Sequence, residues 1–323
     1  AHKLQPTLKN GDTIKIVLLD NKGDKVETAN ATTRLISSDN VVAILGALTS
    51  TNTAQTIAIA DKKGIPVIAP VATNDQLTAK RTFANRVCFT DSFQGEVVAN
   101  YAKAQAYKTA VVVVDQSQVY SLGLAKAFET AFKKNGGEIV KTIKITSGDK
   151  DFKAVVSQIK ETNPDFMFLP LYHPEASMIA RQSKQLGLEK PMFSGDGVAN
   201  QTFIDLGGDA VNGYMFTDFF DYTNPPSQKS ADFVAYHEKE TGKAEMNSFT
   251  ALGADTYNIL IDAMNRCEDP TNSVCINEQI KKTTDFDGVS GKITINKEGN
   301  ATRSAVIKEV KDGKAVFKAT VNP

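Results

Sequence analysis

The most constraining feature of this 323-residue chain is a regular alternation of short, nearly continuous Val/Ile/Leu runs with longer amphipathic stretches. Apolar runs at 13–19, 41–45 and 66–69 are separated by helical patterns over 29–38 and 54–63. A strand that is apolar along its whole length is buried on both faces, as happens when helices cover both sides of a parallel sheet. After a short run at 86–89 the rhythm restarts. Helical patterns at 94–107, 122–135, 151–161 and 175–187 alternate with strand patterns at 109–114, 139–145, 166–169, 192–194 and 213–217. Gly136, Gly137 and Gly187 stand where helices stop, because glycine adopts the left-handed cap without a Cβ penalty. A turn-rich break at 221–226 leads to helical patterns at 228–241, 250–266 and 276–283 and to strands near 291–295, 304–310 and 315–318. The length is about twice that of a usual domain. The expected fold is therefore α/β, with two doubly wound βα lobes.

The beginning departs from this rhythm. Residues 1–5 read as the tail of a helix, and the run at 13–19 ends at Asp20 as a second strand of a doubly wound lobe does. The first strand is expected to be missing from this chain. In the order 2-1-3-4-5 that strand is central, and its loss leaves neighbouring edges unpaired. A different strand order is the other reading of the same residues.

Charge narrows the function classes. Thirty-seven Lys plus Arg balance thirty-seven Asp plus Glu, so no basic field exists to hold a phosphate backbone, and no nucleic-acid partner is expected. No apolar run approaches the roughly 20 residues that cross a bilayer. The first residues lack a charged stretch followed by an apolar one, so the compartment rests on other signs. Cys267 and Cys275 stand eight positions apart across 268–273, either closing a small loop by a disulfide or remaining two unlinked thiols. A disulfide implies an oxidising compartment. Cys88, within the apolar run 86–89, reads as a small buried hydrophobe. His2, His173 and His237 lie far apart and no Cys/His cluster at zinc spacing occurs, so neither metal nor cofactor is expected.

The catalytic inventory is thin: there is no GxSxG elbow, no HExxH and no phosphate loop ending Gly-Lys-Ser/Thr. Gly195-Asp-Gly-Val-Ala-Asn200 approaches a dinucleotide turn, but Asn200 replaces the third glycine. Asp149, Asp151, Glu161, Asp165 and Glu175 are scattered and read as solvated charges. No enzyme is expected, and attention moves to the loops after strands, where open α/β sheets bind ligands. The run at 41–45 leads into Gly46-Ala-Leu-Thr-Ser-Thr-Asn-Thr53, which crowds hydroxyls and backbone N–H groups at a helix start. That suits an anion, and the same hydroxyls would equally cap the helix. The next strand ends in Ala69-Pro-Val-Ala-Thr-Asn-Asp75, again small and hydroxylic. Ser194-Gly-Asp-Gly197 sets an acid between glycines, either at a site or simply in a turn.

These residues, in order, resemble the type I periplasmic-binding superfamily, and within it the Leu/Ile/Val-binding proteins that feed ABC importers. The likeness is carried by Val41-Val-Ala-Ile-Leu-Gly46 with Thr49-Ser50, Gly64-Ile-Pro-Val-Ile-Ala-Pro70 with Ala72-Thr73-Asn74, and Phe89-Thr-Asp-Ser-Phe-Gln-Gly95. It continues through Tyr120 before Gly123, Gly148-Asp-Lys-Asp-Phe152, Tyr172 before Pro174-Glu175, Gln182 to Gly187, and Ser194-Gly-Asp-Gly197. The resemblance implies an N-terminal lobe of 1–88 with 221–300, a C-terminal lobe of 91–218 with 303–323, and a hinge of three crossovers near 87–91, 218–222 and 300–305. It implies a ligand in the interlobe cleft. Ser50 would bind its carboxylate, with Ala72 and Thr73 as backbone and hydroxyl partners and the Val71 carbonyl as an acceptor for ammonium. Tyr120 and Tyr172 would be aromatic contacts and Phe249 would line the side-chain pocket. Asp196 stands where the family's ammonium-binding acid lies, although the leucine binders use a Glu there. The expected protein is an exported, monomeric carrier, periplasmic or at the cell surface, that hands a small amino acid to an ABC permease. Rivals are an amide, urea or aromatic-acid binder of the same fold and a ligand-sensing receptor ectodomain.

Overall fold

The computed structural model describes residues 1–323. The chain divides into two compact units, Ala1–Thr90 with Pro225–Arg303 and Asp91–Asn224 with Ser304–Pro323. The first unit opens with α1 (Lys25–Ser37), β1 (Ile44–Leu45), α2 (Ser50–Ala60), β2 (Val67–Ala69) and β3 (Ala84–Arg86). The second contains α3 (Asp91–Ala104), β4 (Thr109–Asp115), α4 (Val119–Lys134), β5 (Glu138–Ile145), α5 (Lys153–Thr162), β6 (Phe166–Phe168) and α6 (His173–Gln185). It continues through β7 (Met192–Ser194), α7 (Gln201–Gly207) and β8 (Met215–Asp218). The chain then returns to the first unit for α8 (Gln228–Thr241), α9 (Ser248–Asn265), α10 (Ser273–Ile280), β9 (Phe286–Gly288), β10 (Gly291–Ile295) and β11 (Ala301–Thr302). It ends in the second with β12 (Ala305–Lys311) and β13 (Lys314–Val321).

In the first unit β1, β2 and β3 form a parallel sheet in that order, with Ile44 opposite Val67 and Val67 opposite Ala84. Ile44, Ile57, Ala60, Val67, Ala69 and Leu77 pack as its core. The free edge of β3 is met by the turn after β10, where Arg86 N–H donates to the Gly299 carbonyl at 2.9 Å. Gly299 has φ +79° and a Cβ there would lie 2.1 Å from the Ala84 oxygen, so only glycine fits. The strand expected at 13–19 does not form. Its residues make a single isolated bridge, Thr7 to Thr13, and Ile16 and Leu18 are 54% and 88% exposed. An apolar run becomes a strand only through a ladder partner, and beyond that one bridge none lies beside this segment.

The second unit is built on a seven-stranded sheet in the order β13-β12-β8-β7-β6-β4-β5. The strands from β4 to β8 run parallel, and β12 is antiparallel to both β8 and β13. Residues Ala110, Val111, Val112 and Val113 of β4 are fully buried, as their unbroken apolar run required. Gly95 of α3 lets α4 approach closely, since a Cβ there would lie 2.7 Å from the Phe128 backbone nitrogen. A cation is buried beside the sheet, where Lys308 of β12 lies 2.8 Å from Asp218 and 3.2 Å from Asp221. Burial pulls on the Lys308 ammonium, but these two carboxylates outweigh it and raise its pKa.

The run at 86–89 supplies a strand only up to Arg86, and the two short strands β9 and β11 were not expected. Two or three residues cannot display a period. Cys267 and Cys275 form a disulfide with Cα atoms 6.0 Å apart, closing the turn between α9 and α10. Cys88 is a buried thiol whose Sγ–H donates to the Ala72 carbonyl at 3.3 Å. No helix is long and apolar enough to cross a membrane.

Candidate ligand-binding site

In the first unit, the segment between β1 and α2 ends at Thr49, whose hydroxyl caps the helix by accepting from Asn52 N–H at 3.4 Å. The Ser50 N–H stands at the very start of the helix, at the positive end of its dipole. Ser50 is buried, and its Oγ accepts from Asn74 N–H at 3.3 Å, so its own proton remains to be donated. Beside it, Thr73 is 1% exposed and its hydroxyl has no hydrogen-bond partner in the protein. Arg86 lies fully buried behind this loop; its Nη1 donates to the Ala72 carbonyl at 3.1 Å and its Nη2 to the Asn74 carbonyl at 2.8 Å. The loop Val71-Ala72-Thr73 is thereby fixed with hydroxyl and backbone groups presented together, an arrangement chemically suited to an anion.

The second unit brings Tyr120, Tyr172 and Asp196 together. Tyr120 sits in the first turn of α4 and Tyr172 caps the start of α6, and their rings stack at 5.0 Å. The Tyr120 hydroxyl accepts from Gly197 N–H at 3.0 Å. Asp196, 5% exposed in the turn after β7, accepts from Gln94 Nε2 at 2.9 Å through Oδ1. The flanking glycines make this packing possible. A Cβ on Gly195 would lie 2.5 Å from the Tyr120 hydroxyl, and one on Gly197 would lie 2.6 Å from the Leu171 oxygen. Burial is the main cause that pushes the Asp196 carboxyl up to about 7; Gln94 opposes it and Asp218 adds to it. The Tyr120 phenol is likewise raised, by burial first and then by Asp196 and Asp91. The strongest influences on Asp196 include no cation, so an acid is held in the interior with donors around it and no positive charge of the protein against it.

The sequence profile of the periplasmic binding protein family matches residues 8–315. This chain belongs to that family. Among curated relatives of this periplasmic binding protein, the Leu/Ile/Val-binding protein BraC3 of Rhizobium johnstonii is 28% identical over 295 residues, covering 90% of this chain and 78% of the relative. The Leu/Ile/Val-binding protein of Escherichia coli K12 is 28% identical over 293 residues, covering 90% and 77%. Among solved structures, the leucine binding protein LivK of Thermotoga maritima superposes with a TM-score of 0.96 at 37% identity, covering 100% of this chain and 91% of that one. The substrate binding protein LivJ of Streptococcus pneumoniae, solved with isoleucine, gives a TM-score of 0.90 at 30% identity over 100% and 91%. The fold of this chain is that of these type I periplasmic binding proteins of ABC transporters.

Of the residues expected at the site, Ser50, Val71, Ala72 and Thr73 share two neighbouring loops of the first unit, and Tyr120, Tyr172 and Asp196 form one cluster in the second. Phe249 is half-buried in the first turn of α9, its N–H donating to Asn247 Oδ1 at 2.7 Å. Sequence reasoning missed Arg86 and Gln94. Arg86 had one signal, a charge at the head of an apolar run; Gln94 stood inside the Phe89–Gly95 motif, but as a neutral polar residue on a helix it was given no role. Glu175, read as solvated, is buried and accepts from Gly148 N–H at 3.0 Å. Two cavities lie away from these residues. A groove of about 650 Å³ in the first unit is bordered by Leu4, Phe233, Tyr236 and Phe286. One of about 360 Å³ in the second lies among Tyr101, Tyr107, Phe193 and Tyr214, near the N-terminal ends of the parallel strands. Neither contains an expected site residue, so chemistry rather than cavity size marks the site.

Proposed function

We propose that this periplasmic binding protein captures the zwitterion of a small aliphatic amino acid, branched-chain or similar, and delivers it to an ABC importer. The observation that carries the reading is Asp196: a buried carboxylate with hydrogen-bond donors but no protein cation is complementary to an ammonium. Burying a charged ligand is costly unless each charge is paired, and this chain has a group for each. The first-unit loops meet the carboxylate through Ser50, Thr73 and the Ala72 backbone. Asp196, aided by the Val71 carbonyl, meets the ammonium, while Tyr120, Tyr172 and Phe249 border the side chain. The segments near 87–91, 218–222 and 300–305 serve as the hinge; the compact units succeed one another along the chain at 90/91, 224/225 and 303/304. No bond is made or broken. The Leu/Ile/Val-binding names of the relatives and the isoleucine in the LivJ structure support the ligand class, and the disulfide supports an oxidising, extracytoplasmic location.

The rival within the fold is an aromatic-acid binder, a reading that leaves Asp196 without a counter-charge. Calorimetric titration of the purified protein with L-leucine, L-isoleucine, L-valine and benzoate separates the two. At least one branched-chain amino acid should bind and benzoate should not; binding of benzoate alone would overturn the reading. Mass spectrometry of ligand released on denaturation gives the same answer independently.

A further inference from the structure

We propose that Gln94 is the positioning residue of the ammonium pole, holding Asp196 so that the ligand's ammonium and the acid's own proton compete for a single oxygen, Oδ2. The proposal rests on the reading of Asp196 given above.

The orientation of the Gln94 amide follows from what its partners can do. The Asp196 backbone N–H can only donate, so the Gln94 atom 2.7 Å away must be the carbonyl oxygen Oε1. Thr217 donates its hydroxyl to the same oxygen at 2.5 Å. The amide nitrogen is then turned to Asp196 Oδ1, to which it donates at 2.9 Å. Flipping the amide would set its NH₂ against the Asp196 N–H and its oxygen against Asp196 Oδ1, so this polarity is locked. The three residues come from α3, the turn after β7 and β8, and Gln94 and Thr217 are both fully buried. Gly195 keeps the space open, because a Cβ there would lie 2.6 Å from Gln94 Oε1.

Two consequences follow. Oδ1 must remain an acceptor, so a proton carried by Asp196 sits on Oδ2. An arriving ammonium needs an acceptor too, and it displaces that proton. The titratable groups around the acid are Tyr120 from α4, Asp218 at the end of β8 and Asp91 at the start of α3, with Lys308 of β12 held by Asp218 and Asp221. Asp218 makes the negative form harder to keep, and the Gln94 donor makes it easier, so removing that donor favours the protonated acid.

The experiment is a pH titration of Asp196 in the unliganded protein, followed by ¹³C NMR of labelled aspartate carboxyl groups and assigned with Asp196→Asn. Gln94→Met, which keeps the size and removes donor and acceptor, should move the Asp196 midpoint upward by about one pH unit. Leucine affinity near pH 6 should then fall about tenfold beyond any loss seen at pH 9, because below the midpoint each pH unit costs one decade of competition with the proton. A merely structural role would weaken binding equally at all pH values and leave the midpoint in place; that result overturns the proposal. Should Gln94→Met fail to fold, Thr217→Val, which removes one of the two donors that anchor Gln94 Oε1, should raise the midpoint by a smaller amount, and an unchanged midpoint there also overturns it. If leucine does not bind the unaltered protein but the midpoint moves, Gln94 keeps its positioning role and the amino-acid reading falls by itself.

Discussion

The two clusters proposed to meet the ligand, one in each unit, handle charge in opposite ways. In the first unit the charged residue is Arg86, fully buried one layer behind the loop, and the groups it presents through the Ala72 and Asn74 segment are neutral hydroxyls and backbone N–H groups. In the second unit the charged residue, Asp196, is itself the proposed contact, and the neutral amide of Gln94 stands behind it. A charge kept behind the surface fixes geometry without titrating against the ligand. A buried acid at the surface of the site gives stronger pairing but suffers desolvation, which is why it holds its proton into the neutral range. The carboxylate pole should therefore be indifferent to pH, and the ammonium pole should not.

The largest effect that can break this contrast is expected from Asp196→Asn. Removing one member of a buried charge pair costs about 3–5 kcal/mol, so leucine affinity at pH 8 should fall by roughly a hundredfold or more. The fold should survive, since the amide keeps an acceptor for Gln94. Calorimetry on the folded variant decides; an unchanged affinity removes the amino-acid reading and leaves the fold standing. The same variant sharpens the pH contrast. With its midpoint raised from the ordinary carboxylate range to about 7, Asp196 binds more protons folded than unfolded between roughly pH 4 and 7. Its contribution to stability is therefore fully present below about pH 4 and lost as pH rises through 7. Thermal melting of the unliganded protein should show that decline, and Asp196→Asn should remove it. A decline that persists in the variant would assign it to other groups.

Ser50→Ala comes next. Losing a hydroxyl donor to a charged group costs about 1.5–3 kcal/mol, or roughly tenfold to a hundredfold in affinity. The loss should be the same at pH 6 and pH 9. A loss that varies with pH as that of Gln94→Met is expected to do would erase the distinction between the poles.

Most of this architecture is legible in the sequence, and the parts that are not share a cause. The valine run of β4 and the stops at Gly136 and Gly187 are local signals with local consequences. The loops at Ser50 and Thr73 are legible because small hydroxylic residues gathered directly after a strand place donors where an open sheet binds its ligand. The segment 13–19 misleads because its pattern asks for a ladder partner that the pattern cannot supply. The role of Gln94, though the residue stands in the Phe89–Gly95 motif, is hidden for the same reason at the level of a side chain: its meaning depends on an acid 102 positions away. Arg86 meets carbonyls only 14 and 12 positions back, yet a buried arginine reads from sequence as an interruption of a strand.

Thr73→Val isolates the carboxylate pole in a different way. The threonine hydroxyl is buried without a protein partner, and an unmet polar group costs about 1–3 kcal/mol of stability. Valine has nearly the same shape without that group. Stability of the unliganded protein should therefore hold or rise by about 1 kcal/mol, while leucine affinity falls about tenfold. A residue kept for structure would show the reverse, loss of stability with affinity intact.

The smallest effect on binding is expected from the disulfide, which tests whether stability and ligand recognition are separable within the first unit. Cys267 and Cys275 close a loop with a sequence separation of 8, between α9 and α10, and neither residue contributes to the Ser50 or Thr73 loops. A loop of that length restricts the unfolded chain by about 2–3 kcal/mol in the chain-entropy account. Cys267→Ser with Cys275→Ser should lower the denaturant midpoint accordingly and leave leucine affinity within about twofold. Thiol counting on the denatured, unreduced protein should find one free thiol, Cys88, in the unaltered chain; three would show the bond absent. A large fall in affinity in the double variant would mean that the α9–α10 turn is coupled to the carboxylate pole. The loop fixed by Arg86 would then depend on a staple in another part of the first unit, and the two poles would differ less in their independence than their geometry indicates.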